Sequence, residues 1–225
     1  MTNLNTRAWI SLVGLVVVLA LLLFIPAGTL DYWQAWVYLT LFAMCGGAIT
    51  RYLMKRDPAL LARRMRGGPF AEKERSQRLI MSVVTLAYVA IHVISGLDHR
   101  FRWSEVPLAA TVAGDALLVA GFFIEFLVFR ENTFASATIE VGKGQAVIST
   151  GPYALVRHPM YVGGLLMLLG TPLALGSWWG FLAYILMVPA LIWRLLDEER
   201  LLAKELPGYP EYCATVRWRL IPGLL

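Results

Sequence analysis

Long apolar runs alternate with short polar stretches along this chain, and the length of each run decides what it predicts. A bilayer core about 30 Å thick takes about 20 apolar residues in a helix. Residues 8–27 reach that length without a charged side chain and close on Ile25-Pro26-Ala27-Gly28. The run is longer than the apolar core of a cleaved leader, about 7–15 residues, so a retained helix is expected. A second run covers 33–54, with Trp33 and Trp36 suited to an interfacial belt. A shorter third run covers 79–95 and a fourth 107–129. The last, 160–193, is too long for one crossing. It contains Thr171-Pro172 and Gly176-Ser177, followed at once by Trp178-Trp179, and reads as two short helices in a tight hairpin. The pattern predicts an all-α, multi-pass transmembrane bundle of about six spans, the C-terminal hairpin included.

Lys and Arg in the short loops set orientation. The stretch 51–78 holds Arg51, Lys55, Arg56, Arg63, Arg64, Arg66, Lys73, Arg75 and Arg78, which predicts a cytoplasmic loop. Counting crossings from it puts both termini and the 130–157 loop in the cytoplasm, and the 98–105 loop outside. Composition agrees with an integral membrane protein. The 225 residues are 58% hydrophobic and 16% charged, against about 45–50% and 25% for soluble chains. That excludes an ordinary cytosolic enzyme, a disordered chain and a nucleic-acid-binding module. The net charge of +5 then reflects the cytoplasmic loops rather than a nucleic-acid partner. Cys45 and Cys213 form no disulfide framework, one lying in an apolar run and the other in a polar tail. The expected organisation is one integral membrane domain, 1–225, with spans and a basic loop in 1–130 and the chemistry in 131–225.

The polar elements that face the cytoplasm carry the candidate chemistry. After the fourth span come Gly142-Lys143-Gly144-Gln145-Ala146-Val147-Ile148, then Gly151-Pro152-Tyr153 and Arg157-His158-Pro159-Met160-Tyr161. Pro159 suits the first turn of a helix, which puts Arg157 and His158 beside a helix N-terminus that favours negative charge. Such a corner can bind a carboxylate. Equally, Arg157 can be a positive anchor and His158 a helix cap. Arg194 and Glu198 stand four apart and share a helix face, as a functional pair or a surface ion pair. The stretch 205–222, with Leu206-Pro207-Gly208-Tyr209 and the aromatics that follow, reads as a surface lid or a basic interfacial tail. Gly142-Lys143-Gly144 lacks the remaining features of a dinucleotide fingerprint. His92, His99 and His158 have no metal-ligand spacing to one another or to the cysteines, so no metal site is expected. Asp115 and Glu125 are intramembrane carboxylates and functional candidates on that ground.

Taken together, Gly151-Pro152-Tyr153, Arg157-His158-Pro159-Met160-Tyr161, Arg194, Glu198-Glu199 and Leu206-Pro207-Gly208-Tyr209 resemble the isoprenylcysteine carboxyl methyltransferases and related phospholipid methyltransferases. The resemblance covers 132–222, while the first half shares only a pattern of spans and a basic loop. It implies an S-adenosyl-L-methionine pocket on the cytoplasmic side, closed by the C-terminal tail. By motif, Tyr153, His158, Pro159, Met160, Tyr161 and Glu198 would bind the cofactor. Gln145, Ala146, Val147 and Ile148 would line the pocket through their backbone, and Arg194 would be the catalytic residue facing the acceptor's carboxylate. The chain departs from the family at Gln145 and Glu140, where His and Gln are common. The implied partners are membrane lipids and a lipid-like or prenylated acceptor, modified most simply by O-methylation of a carboxylate. A carboxylate is already ionised at neutral pH, so no general base is required. The alternatives are phospholipid N-methylation, with Glu125 or Asp115 taking the proton, a membrane sterol-reductase-like nicotinamide enzyme, and a non-enzymatic transporter or assembly factor.

Overall fold

The computed structural model describes residues 2–72, 74–142 and 144–223; Lys73 of the basic loop and Lys143 of the Gly-Lys-Gly stretch lie outside the described residues. The helices are α1 (Thr2–Ala27), α2 (Trp33–Arg56), α3 (Pro58–Arg64), α4 (Arg75–Phe101), α5 (Leu108–Glu131), α6 (Pro159–Ala174), α7 (Gly180–Glu205) and α8 (Tyr209–Thr215). There is no strand among the described residues. α1, α2, α4, α5 and α7 are each long and apolar enough to cross a bilayer, and α6 is a shorter apolar helix. The protein is a multi-pass helical membrane bundle.

Two expected boundaries move. The final hairpin is not a pair of short helices: α6 has 16 residues, but α7 has 26. The apolar run ends at Trp193, yet the charged residues after it are good helix formers. No helix-breaking residue follows until Leu206-Pro207-Gly208, so α7 continues beyond its apolar part. For the same reason α4 runs 75–101 rather than 79–95. Its polar ends are helical without being apolar, and hydropathy reports only the apolar middle.

α5 and α6 make the most extensive contact in the bundle. Gly114 and Gly121 on α5 meet Gly170 and Gly163 on α6, antiparallel, each pair of glycines seven residues apart. A Cβ on Gly121 would come within 2.6 Å of the Gly163 carbonyl oxygen, and one on Gly170 within 2.6 Å of the Gly114 carbonyl oxygen. Lipid provides little hydrophobic drive between helices, so close backbone approach through small residues is how such a pair gains packing. The register leaves α5 longer than α6 at one end. Gly163 lies opposite Gly121, so the residues of α5 after about Glu125 extend beyond the first turn of α6, by roughly 9 Å at 1.5 Å per residue.

At the opposite end the helices are tied together. The Tyr32 hydroxyl donates to the Leu175 carbonyl at 2.5 Å. Buried Asp98 accepts from Ser177 Oγ at 2.5 Å and from Ser104 Oγ at 2.7 Å. These bonds fix the α6–α7 turn against α2 and α4. A turn with a glycine at φ +68 (Gly176) makes the reversal within a few residues.

Candidate active site

Where α6 begins short of the end of α5, the bundle contains a cavity of 330 Å³. That lies within the roughly 300–1,000 Å³ of small-molecule sites. Its walls come from the first turns of α6, the C-terminal half of α7, the irregular stretches 132–140 and 145–148, and α8. Met81 and Val84 of α4 with Leu165, Leu168 and Leu191 make one flank apolar. Gln145, Ala146, Val147, Ile148, Tyr153, His158, Pro159, Met160, Tyr161, Arg194 and Glu198 all line this one cavity. Asp115 and Glu125, by contrast, lie outside its lining. Arg64, Met81 and Val84 line it from the first half of the chain, so the walls are not confined to 131–225.

On one wall the Tyr161 hydroxyl donates to Glu198 Oε2 at 2.7 Å, joining α6 to α7. The i,i+4 spacing of Arg194 and Glu198 predicted a pair, but the structure engages each elsewhere. Arg194 Nη2 donates to Glu72 Oε1 at 2.7 Å and to the Ala137 carbonyl at 3.2 Å, while Nη1 donates to Gln77 Oε1 at 2.9 Å. Gln77 in turn donates to Asp197 Oδ2 at 2.9 Å. Glu72 and Gln77 are buried, and sequence reasoning missed both. Glu72 sits among the charges of the basic loop and lies 122 residues from its partner, so no local pattern marks it.

Glu199 faces away from the cavity and ties three basic groups together. Arg219 Nε donates to its Oε2 at 2.7 Å, and His158 Nε2 lies 3.3 Å from its Oε1. Arg157 Nε lies 3.1 Å from the same oxygen, as an ion pair without hydrogen-bond alignment. Two backbone bonds run alongside, from Arg157 N–H to the Trp218 carbonyl at 2.9 Å and from His158 N–H to the Arg219 carbonyl at 3.0 Å. The tail is thereby fastened to the start of α6. His158 occupies the N-cap position of α6, but its side chain makes no cap bond.

The roof and the near wall are held by tyrosines and Arg64. Asn132 Nδ2 donates to the Tyr153 hydroxyl at 2.9 Å, and the Tyr212 hydroxyl donates to the Tyr153 carbonyl at 2.7 Å. Burial pushes the Tyr153 hydroxyl well above the ordinary phenol range. Burial, and then the Cys213 thiol, push Tyr212 up to about 12. Arg64 Nη1 donates to the Ser136 carbonyl at 3.1 Å and contacts Met160 Sδ at 3.5 Å. Its guanidinium lies 4.9 Å from the Phe129 ring centroid. Burial pulls Arg64 below its ordinary value, and the Glu125 carboxylate opposes that shift. Among the described residues no group of three or more His, Cys, Asp or Glu side chains is placed to hold a metal ion.

Residues 109–207, which include α6 and all of α7, match the family described as phospholipid methyltransferase. The cobalt-zinc-cadmium resistance protein CzcN of Cupriavidus metallidurans is 40% identical over 134 residues, 57% of this chain and 56% of that protein. The nickel-cobalt-cadmium resistance protein NccN of Alcaligenes xylosoxydans xylosoxydans is 26% identical over 140 residues, 60% of this chain and 58% of that protein. A Delta(14)-sterol reductase of Mus musculus is 35% identical over 88 residues, 38% of this chain and 21% of that protein. The chain thus spans about half the length of the two metal-resistance relatives.

Proposed function

We propose that the protein transfers a methyl group from S-adenosyl-L-methionine to a lipid-like acceptor in the membrane, a reading supported by the match of residues 109–207 to the phospholipid methyltransferase family. The observation that carries this is one cavity with a carboxylate wall at Glu198, an arginine wall at Arg194 and an apolar flank between α4, α6 and α7. The donor set suits the cofactor. Glu198 offers a carboxylate to an ammonium group, Tyr153 and Tyr161 offer aromatic surface, and the 145–148 backbone offers amide and carbonyl groups. His158, Pro159 and Met160 complete that side. When bound, the cofactor supplies an electrophilic methyl group on a sulfonium sulfur.

The chain's own work is then positioning and exclusion of water. Holding two reactants in line contributes several kcal/mol in systems of this kind. The apolar flank receives the acceptor's tail, and the polar end places its reacting group beside Arg194. We place this mouth, both termini and the basic loop on the cytoplasmic side, by the Lys and Arg count of the loops. Two acceptor chemistries meet the geometry. A carboxylate can approach the Arg194 hydrogens that Glu72, Gln77 and the Ala137 carbonyl leave unused, and would need no proton acceptor. An amine acceptor is favoured by a specific observation, the pairing of Arg194 with Glu72 at 2.7 Å. There the amine would offer the lone pair that accepts the methyl group. A primary or secondary amine then loses one proton to water or a carboxylate.

The test is S-adenosylhomocysteine titration by calorimetry on the protein in nanodiscs, with a nicotinamide dinucleotide as control. Binding is expected for the wild type. Glu198→Gln and His158→Ala are each expected to weaken it about tenfold, the usual scale for losing a charged hydrogen-bond partner. A folded wild type that binds the dinucleotide and not S-adenosylhomocysteine would replace this reading with a reductase.

A further inference from the structure

We propose that Glu72 selects the acceptor by charge: its pairing with Arg194 cancels the positive charge of that guanidinium at the cavity and turns carboxylate headgroups away. The inference rests on the methyltransferase reading, because it concerns the acceptor end of that site.

The pair is built into the wall rather than laid over it. The side chains of Arg194 and Glu72 are 9% and 2% exposed, and their charged atoms are 2.7 Å apart. Glu72 is fixed independently of Arg194. Arg78 Nε donates to its backbone carbonyl at 2.8 Å, and the Ile139 amide reaches its second carboxylate oxygen at 3.4 Å. Arg194 is fixed independently of Glu72 by Gln77 and the Ala137 carbonyl. Gln77 is anchored in turn on Asp197. The guanidinium therefore has a set orientation and a permanent counter-charge.

Consider an acceptor carboxylate arriving beside Arg194. Displacing Glu72 would strand a buried carboxylate without its cation, which is strongly unfavourable. Leaving Glu72 in place sets two carboxylates on one guanidinium, and the second gains little net attraction. An amine headgroup meets no such penalty, since the Arg194–Glu72 pair it faces is neutral in total. Glu72 does not touch the reacting group in this account. It acts through Arg194 as a specificity-determining residue.

The test uses oleate and oleylamine, which share a tail and differ in the sign of the headgroup. Each is titrated by calorimetry into the full-length protein saturated with S-adenosylhomocysteine in detergent, and the ratio of affinities cancels partition into micelles. The wild type is expected to prefer the amine. Glu72→Gln keeps the shape and an acceptor oxygen but removes the charge, and should move the ratio at least about tenfold towards oleate, because an uncompensated charge acts more strongly at a protein surface than in bulk water. Arg194→Gln leaves Glu72 unmatched and should move it a similar amount towards oleylamine, so either variant alone is informative if the other does not fold. The double variant should return close to the wild-type ratio. S-adenosylhomocysteine binding by a variant whose ratio has not moved overturns the proposal and leaves the methyltransferase reading standing. So does a shift in the same direction for both single variants, because a purely structural pair ignores the sign of the charge that remains. Binding of neither amphiphile by the loaded wild type also overturns it. Failure of the wild type to bind S-adenosylhomocysteine overturns the reading itself.

Discussion

Replacing Glu199 by Gln should release the C-terminal tail without unfolding the bundle. Its carboxylate is 12% exposed and faces Arg157, His158 and Arg219, whose side chains are 9%, 4% and 37% exposed. The Arg219 bond is more than a third exposed, so solvent screening reduces it to about 0.5 kcal/mol. The buried His158 contact counts for more, because a hydrogen bond to a charged group contributes about 1.5–3 kcal/mol, and buried Arg157 adds an ion pair. The amide of Gln offers one acceptor oxygen where the carboxylate offers two, and its NH₂ repels the guanidinium it faces. A net loss of about 2 kcal/mol is expected, which corresponds to about a 30-fold change in an equilibrium constant. The amides of Arg157 and His158 report the opening directly, since they donate to the carbonyls of Trp218 and Arg219. Their hydrogen exchange in nanodiscs should be about 30-fold faster in Glu199→Gln, while amides in the middle of α5 and α6 keep their wild-type rates. Unchanged exchange at 157 and 158 would show that the carboxylate does not hold the tail. Equal acceleration throughout α5 and α6 would show that it holds the whole fold instead.

Further perturbations probe the rest of the bundle. Gly121→Ala places a Cβ within 2.6 Å of the Gly163 carbonyl oxygen and should cost about 1–3 kcal/mol by overpacking, read as a lower Tm in detergent. Gly14→Ala meets nothing within 4 Å and should leave Tm unchanged or slightly raised. Asp98→Asn weakens the bonds to Ser104 and Ser177 at the end away from the cavity. It should lower stability by about 1–3 kcal/mol with S-adenosylhomocysteine affinity unchanged, which calorimetry separates. The buried tyrosines predict an alkaline limit. Tyr212, held near 12 by burial, stays protonated in the fold above pH 10, where an unfolded tyrosine ionises. The unfolded state therefore binds fewer protons there, so stability should fall as pH rises from about 10 to 12, seen as a steady loss of Tm across that window.

Hydropathy made the spans legible because each is a lipid-facing object whose apolar length is set by the bilayer. It could not place the ends of α4 and α7, where the helix persists on charged residues that the membrane does not select. In the second half of the chain eleven candidate residues were legible in sequence, and all eleven line one cavity. The partners of Arg194 were not legible. The spacing to Glu198 pointed along the helix, whereas the guanidinium turns towards α4 and the segment before it, where Glu72 and Gln77 lie. Local periodicity carries no information about which loop packs against a helix face. The roles of Glu198 and Glu199 were not separable in sequence either, because consecutive helical residues point about 100° apart and only the packing says which one faces the cavity. Here Glu198 lines it and Glu199 fastens the tail.

The paired glycines of α5 and α6 work as a two-toothed comb. Both teeth mesh only in the observed register, Gly114 with Gly170 and Gly121 with Gly163. Sliding by one tooth would keep a single pair and carry Tyr161 about 10 Å along α5, seven residues at 1.5 Å each, out of reach of Glu198. The comb is therefore a gauge as well as a clamp: it measures how far from the end of α5 the first turn of α6 begins, and that offset sets the depth of the cavity.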